Sequence, residues 1–246
     1  MSRFSIVTIS FNSEATIERT IKSVVNQNFD DYEFLIIDGG SEDNTMTIVN
    51  KYRDNIDVII SEKDNGISDA FNKGIRIAKG EYILLLNSDD QLINGVLEKI
   101  DSIVKDDTDI LHTDLIVVDD NGNRRIQKPI LDYERLLKRN MVLNHPGMFI
   151  AKSAYEKYGL YDTSFKCAMD RELVSRMYKL GAKFQYEDIE TVVFQLGGES
   201  TRNFIKHAIP EGRRISISNG VPRFQADIYA IKLCFATIIN NIKNKS

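Results

Sequence analysis

Glu81-Tyr82-Ile83-Leu84-Leu85-Leu86-Asn87-Ser88-Asp89-Asp90 decides how this chain of 246 residues folds. Tyr82 to Leu86 is an unbroken apolar run, the pattern of a strand buried on both faces of a parallel sheet. It leads directly into Asn87, Ser88, Asp89 and Asp90. Open α/β sheets bind ligands beyond the carboxyl ends of their strands. Carboxylates there can hold a divalent cation, and a cation can hold a diphosphate. A nucleotide or sugar nucleotide is therefore the leading ligand class. The competing reading is a turn and helix cap before Val96, since Asn, Ser and Asp serve both purposes.

Outward from that strand, the first hundred residues alternate strand and helix. Strands are expected over Phe4–Ser10, Tyr32–Ile37 and Val58–Ser61, and helices over Glu14–Gln27, Asp43–Tyr52 and Ser68–Lys79. Asn12 or Ser13 can cap the first helix, and Gly80 is placed to close the third in a left-handed turn. A helix follows the opening stretch, with Val96, Leu97, Ile100, Ile103 and Val104 on one face. Such repetition predicts a parallel sheet with right-handed crossovers. Beyond residue 105 the style is mixed. A strand over Asp109–Asp119 turns at Asn121-Gly122, and Asn144-His145-Pro146-Gly147 precedes another strand ending at Ala151. Helices are expected over Ser153–Tyr158 and Asp170–Leu180, then two strands, Phe184–Glu187 and Thr191–Leu196. The organisation expected is one catalytic domain over 1–205, with halves 1–105 and 106–205, and a basic amphipathic helical tail over 206–246.

Charge divides along the same line. From Arg202 onward eight basic residues face two acids, giving +6 there and −10 over residues 1–201. An acidic body argues against nucleic acid as a partner, whereas a basic tail can meet an anionic surface. Phe224, Ile228, Ile231, Phe235, Ile238 and Ile242 recur at helical spacing, flanked by Arg223, Lys232, Lys243 and Lys245. That stripe either packs on the domain or lies on a membrane surface as a peripheral contact. Cys167 and Cys234 form no spaced pair, and Met1-Ser-Arg-Phe-Ser enters a strand at once. A cytoplasmic location without a secretory leader is the expectation, possible contact with the inner face of the plasma membrane included.

Missing motifs narrow the chemistry. After the first strand stands Phe11-Asn12-Ser13-Glu14, not a glycine-rich dinucleotide turn, and no Walker-type loop occurs. A diphosphate would therefore be neutralised by a metal held on acids. Three histidines, scattered at 112, 145 and 207, make a histidine metal site improbable.

The ordered set Ser10-Phe11-Asn12, Ile36-Ile37-Asp38-Gly39-Gly40-Ser41-Glu42-Asp43, Ser61 to Gly74, Leu86-Asn87-Ser88-Asp89-Asp90, His145 and Cys167-Ala168-Met169-Asp170-Arg171-Glu172-Leu173 resembles the inverting glycosyltransferases of family 2. Its nearest likeness is to bacterial enzymes that extend O-antigen and other surface polysaccharides. The resemblance covers about residues 4 to 200. It implies the GT-A fold: a Rossmann-like, mostly parallel α/β sheet, a mixed acceptor half and here a C-terminal helical tail. Asp38 would accept a hydrogen bond from the base, with Ser10 lining the same pocket. Lys73 would lie near the nucleotide or its phosphates, and Asp69 could reach the donor sugar. Asn87 stands where the family has an Asp that touches ribose. Asp89 becomes the main ligand of Mn²⁺ or Mg²⁺, with Asp90 as helper or structural cap. Asp170 would be the catalytic base, although Met169 replaces the family's preceding Glu. Glu172 would orient that base or touch acceptor, and His145 would contact the diphosphate, metal or acceptor.

The implied reaction is one in-line displacement from a nucleoside-diphosphate sugar, a UDP-sugar being favoured. The acceptor would be a glycan or a polyprenyl-diphosphate-linked glycan. The chain has no tryptophan, so it lacks the Gln-x-x-Arg-Trp motif of processive relatives and is expected to add one sugar per encounter. Two rivals remain: a sugar-phosphate nucleotidyltransferase, which needs a glycine-rich loop, and a degenerate sugar-nucleotide-binding protein, favoured by Asn87 and Met169.

Overall fold

A computed structural model describes residues 2–119, 121–196 and 204–243, with side chains at 204 and 238–243 excluded. Ile238, Ile242 and Lys243 of the expected stripe thus have no described side chains, and Lys245 lies outside the described residues.

The opening stretch forms β4 (Tyr82–Asn87) within a nine-stranded sheet. On one side of it lie β1 (Phe4–Ser10), β2 (Tyr32–Asp38) and β3 (Val58–Ser61), all parallel. Ile83, Leu84 and Leu86 are fully buried, as are Phe34, Leu35 and Ile36 of β2. Each such side chain contributes about 1.5–3 kcal/mol through removal from water. The common direction of these four strands delivers Ser10, Asp38, Ser61 and Asn87 to one edge. Helices α1 (Ile17–Val25), α2 (Thr45–Asn50) and α3 (Ile67–Ile77) form the crossovers. Gly74 lets α3 lie directly on the sheet, since a Cβ there would sit 2.3 Å from Val7 Cγ1.

On its other side β4 pairs with β8 (Met148–Ala151), antiparallel. A two-residue strand, β5 (Gln91–Leu92), and α4 (Val96–Ile103) follow β4. Strand β6 (Ile110–Val118) pairs with β8 and, beyond the Gly122 turn, with β7 (Arg124–Gln127). Three helices complete this half: α5 (Glu134–Lys138), α6 (Lys152–Tyr158) and α7 (Met169–Lys179). Phe184–Gln195 is one strand, β9, where two were expected. Register shifts against β6 between Thr113 and Leu115 absorb the polar interruption at Asp188 to Glu190.

Two other expectations are corrected. Helix α1 begins at Ile17, where the Ser13 carbonyl accepts Thr16 N at 3.0 Å and Ile17 N at 2.9 Å. The side chains of Asn12 and Ser13 do not cap it, because both are engaged across the site. Gly80 is not a left-handed helix closure. Helix α3 ends at Ile77, and Gly80 is required because a Cβ would lie 2.4 Å from Ser5 N and 2.5 Å from Phe4 C. The tail is helical but divided. A left-handed Gly220 (φ 94°) and Pro222 separate α8 (Ile209–Ser218) from α9 (Arg223–Lys243). Ile209, Ile215 and Ser216 bury α8 against the body, so the tail's first half joins the packed domain. Among the described residues no helix is long and apolar enough to cross a membrane.

Candidate active site

The strand ends of β1, β2 and β3 meet at Asp38, which is fully buried. Five hydrogen bonds converge on its carboxylate. Ser10 Oγ (3.0 Å) and Ser41 Oγ (2.5 Å) reach Oδ1. Ser61 Oγ (2.7 Å), Ser41 N (2.9 Å) and Gly40 N (3.1 Å) reach Oδ2. Burial pushes its pKa up, but bonds from Ser41, Ser61 and Ser10 outweigh that and hold it below the usual carboxylate range. A carboxylate has about four lone-pair sites, so a base could bind Asp38 only by sharing an acceptor already in use. Asp38 builds the 38–41 loop, and Ser10 is part of that scaffold.

Asp64 was not singled out by sequence reasoning. A Cβ at Gly39 would lie 2.5 Å from its Oδ2 and 3.4 Å from the exposed Phe11 ring, so these groups crowd the same loop. Nothing local marks Asp64, because its neighbour is twenty-five positions upstream. Asn12 (φ 48°) accepts Glu42 N on its Oδ1 at 2.9 Å, and Ser13 Oγ meets Ser88 Oγ at 2.8 Å. These contacts join the loop after β1 to both neighbouring loops.

At the end of β4 the two acids differ. Asp90 is fully buried. Its Oδ1 accepts Gln195 N at 3.1 Å, and its Oδ2 accepts Asn87 Nδ2 at 3.0 Å. Burial, then the neighbouring Asp89 charge, pushes its pKa up to about 8. Asp90 thus latches the end of β4 to the end of β9, and Asn87 turns its amide inward to it. Asp89 is only partly buried, and burial raises its pKa while Arg19 pulls it back. Arg19 Nη2 also donates to the Asp89 carbonyl at 3.2 Å. Among the described residues no group of three or more His, Cys, Asp or Glu could hold a metal. The donor set therefore does not fit a closed protein cage. One partly exposed carboxylate does fit a Mg²⁺- or Mn²⁺-type ion held mainly by phosphate oxygens and water.

Helix α3 carries Asp69 and Lys73. Lys73 Nζ lies 2.9 Å from Glu62, 3.8 Å from Asp69 and 3.2 Å from the Lys63 carbonyl. Its hydrogen bond to Glu62 raises its pKa, so it stays cationic. Asp69 accepts Asn65 N at 3.0 Å. The same helix joins the halves: Asn72 bonds the Tyr161 carbonyl at 2.9 Å and the Tyr161 amide at 3.0 Å. Ser68 Oγ reaches the Phe165 carbonyl at 3.4 Å.

Asp170 opens α7. Burial raises its pKa, opposed chiefly by His145, and its Oδ1 accepts Arg171 N at 2.7 Å. His145 Nε2 is 2.8 Å from Tyr161 Oη, and its ring lies 5.5 Å from that of Phe71. Burial lowers the His145 pKa, which favours the neutral ring. His145 is thereby brought beside Asp170, and the 145–147 turn that carries it also contacts β4. Glu172 is spent elsewhere: both its oxygens bind Arg176, at 2.9 and 3.0 Å. Arg176 also holds the carbonyls of Tyr158 and Leu160, so the pair fixes the turn after α6. Met169 is buried, which explains an apolar residue in a position where the family's glutamate was expected.

A parallel sheet with acids at its carboxyl edge, joined through α3 to a second half that carries a partly buried carboxylate, has the layout of a group-transfer enzyme. Residues 5–176 match the family described as "Glycosyl transferase family 2", and the chain belongs to it. It is a glycosyltransferase. Similar proteins include the "PGL/p-HBAD biosynthesis glycosyltransferase" of Mycobacterium bovis (strain BCG / Pasteur 1173P2), 28% identical over 71% of this chain and 69% of that protein. The "Poly(ribitol-phosphate) beta-N-acetylglucosaminyltransferase TarP" of Staphylococcus aureus (strain N315) is 28% identical over 81% of this chain and 59% of its own length. Among solved structures, S. aureus TarS 1-349 in complex with UDP-GlcNAc superimposes with a TM-score of 0.69 at 18% identity, covering 94% of this chain and 70% of that one. The mannosyltransferase PcManGT from Pyrobaculum calidifontis, in complex with GDP-Man and Mn²⁺, gives 0.69 at 14% identity, covering 98% and 75%. These likenesses show a shared fold.

Proposed function

We propose that this glycosyltransferase moves one sugar, with inversion, from a nucleoside-diphosphate sugar to a hydroxyl of a glycan or polyprenyl-diphosphate-linked glycan. The observation that carries the reading is a pair of carboxylates on the two halves: Asp89 at the end of β4 and Asp170 in the first turn of α7, each partly buried and each with its pKa raised by burial. A UDP-sugar is favoured, and the UDP-GlcNAc complex of TarS supports that choice by likeness of fold. Surface polysaccharide of the O-antigen or capsule kind is the product class, and the poly(ribitol-phosphate) in TarP's name is likewise a polymer.

The acceptor hydroxyl is a poor nucleophile while protonated, so Asp170 takes its proton as the new bond forms. The bond from the anomeric carbon to the diphosphate breaks on the opposite face. Asp89 would hold the Mn²⁺ or Mg²⁺, whose chemistry when bound is to neutralise charge on the leaving diphosphate. Lys73 adds positive charge from α3, and Asp69 borders the donor. Asp38 and Ser10 shape the floor of the base pocket, with Phe11 as an exposed aromatic face at its mouth. Burial keeps the proton affinity of Asp170 above that of an ordinary carboxylate, and the neighbouring His145, bonded to Tyr161, limits that rise. A single base without a second carboxylate nucleophile gives inversion.

A thermal-shift series with UDP-GlcNAc, UDP-galactose, UDP-glucose and GDP-mannose tests the donor class. One of them with Mn²⁺ is expected to raise Tm by mass action. No shift with any nucleotide sugar or nucleoside diphosphate would contradict the reading. Metal-dependent release of nucleoside diphosphate distinguishes the enzyme from a degenerate binding protein.

The tail supplies the proposed membrane contact. Phe224, Ile228, Ile231 and Phe235 are 62%, 50%, 55% and 65% exposed, so this face of α9 is not packed on the domain. Lys138, Arg139 and Lys232 line the adjoining groove with Ile228. Apolar side chains flanked by cations suit an anionic bilayer surface, here the cytoplasmic leaflet, where a lipid-linked acceptor would be presented. The full chain is expected to float with phosphatidylglycerol liposomes, and the triple variant Phe224→Ser, Ile231→Ser, Phe235→Ser to remain below. Equal flotation by both would remove the helix from that role.

A further inference from the structure

Helix α8 lies beyond the residues matched to the family, yet it grips the segment that carries Asp170. Glu211, in its first turn, accepts three consecutive backbone N–H groups. Lys166 N reaches one oxygen at 2.8 Å, while Cys167 N at 2.9 Å and Ala168 N at 2.8 Å reach the other. Ala168 flanks the start of α7, which has no side-chain cap of its own. A helix start leaves amides without partners and carries partial positive charge. Glu211, from a different helix, takes the Ala168 amide at that start and the two amides before it, and brings negative charge to the positive end.

A second grip lies on the other side of Asp170. Arg171 is 3% exposed. Its guanidinium donates to the Gly212 carbonyl at 2.8 Å and Ser216 Oγ at 2.9 Å, both on α8, and to the Leu136 carbonyl at 2.9 Å. Arg214 adds a third, stacked 4.3 Å over the Phe165 ring with Nη1 3.0 Å from Ser164 Oγ. Residues 164–171 are thus fixed by one helix both before and after the carboxylate at 170.

We propose that Glu211 is a positioning residue for glycosyl transfer, clamping the 166–168 turn so that Asp170 meets the acceptor hydroxyl. The proposal rests on the reading of Asp170 as base. Asp170 sits in the first turn of α7, so loosening the amides before it moves its carboxyl directly. Donor binding depends on the β1–β4 edge, which Glu211 does not touch. Loss of the clamp therefore separates kcat from donor affinity.

The test compares wild type, Glu211→Ala, Glu211→Gln and Asp170→Asn, all as the full chain with Mn²⁺. It reads amide hydrogen exchange over 166–169 and UDP release from UDP-GlcNAc as probe donor. In Glu211→Ala the exchange of these amides is expected to rise about tenfold or more as the turn opens locally. Its kcat is expected to fall about 100-fold, the scale of a 1 Å misplacement, with donor KM within about twofold. Glu211→Gln keeps the length and one carbonyl acceptor, so it recovers part of both. Unchanged exchange, wild-type kcat, or a kcat loss matched by equal loss of donor affinity would each overturn the proposal. Turnover that survives in Asp170→Asn brings down the base assignment instead. An inactive Asp170→Asn beside a fully active Glu211→Ala brings down the clamp alone.

Discussion

Asp170→Asn is expected to lower turnover by about 1,000-fold while leaving donor affinity within about twofold, since a positioned base supplies 10²–10⁴ of rate. The substitution keeps shape and the acceptor for Arg171 N, and removes only the capacity to take a proton. The pH profile follows from the same residue. Burial raises the Asp170 pKa from 3.8, and His145 limits that rise. The base works ionised, so kcat/KM falls as pH drops through that raised pKa. The acidic limb should therefore lie above the ordinary carboxylate range, and it should vanish from whatever rate Asp170→Asn retains. Wild-type turnover in Asp170→Asn, measured as release of nucleoside diphosphate, would remove Asp170 from the chemistry.

Asp89→Ala is expected to weaken Mn²⁺-dependent binding of UDP by about 100-fold, on the scale of losing metal support. The metal-independent part of binding should survive, because the loops after β1, β2 and β3 are untouched. Calorimetric titration with UDP, with Mn²⁺ and with EDTA, separates the two parts. In wild type EDTA should weaken binding, and in Asp89→Ala it should change little. Identical EDTA sensitivity in both proteins would mean that another group holds the cation. Asp90 is a poorer substitute, because it is fully buried and each of its oxygens already accepts a bond, from Gln195 and from Asn87.

The nucleotide half was legible because its code is local. Runs such as Ile83 to Leu86 are buried on both faces, and their ends fall at turn residues that mark the ligand edge. The hairpin at Asn121-Gly122 was legible for the same reason, and Gly122 is left-handed. Long-range partners were not. Gly80 carries the spacing of a helix closure, but its need arises from Ser5 and Phe4, far away in sequence. Asp90 beside Asp89 reads as one of two equivalent acids until Gln195 closes on it. Glu172 could have been assigned from spacing, since Arg176 stands four positions on, the distance of a helical ion pair. Glu211 offered no such cue. It sat in what read as a basic helical tail, and its partners are backbone amides with no signature in sequence.

The central claim is a single displacement assisted by one base, and product stereochemistry tests it most directly. Proton NMR of the purified product, made with whichever nucleotide sugar stabilises the protein, reads the anomeric coupling of the new linkage. An α-linked hexosyl donor of the gluco or galacto series is predicted to yield a β-linked product with the larger coupling. A product that retains the donor's configuration would require a second displacement, and would contradict Asp170 as the sole carboxylate of the reaction.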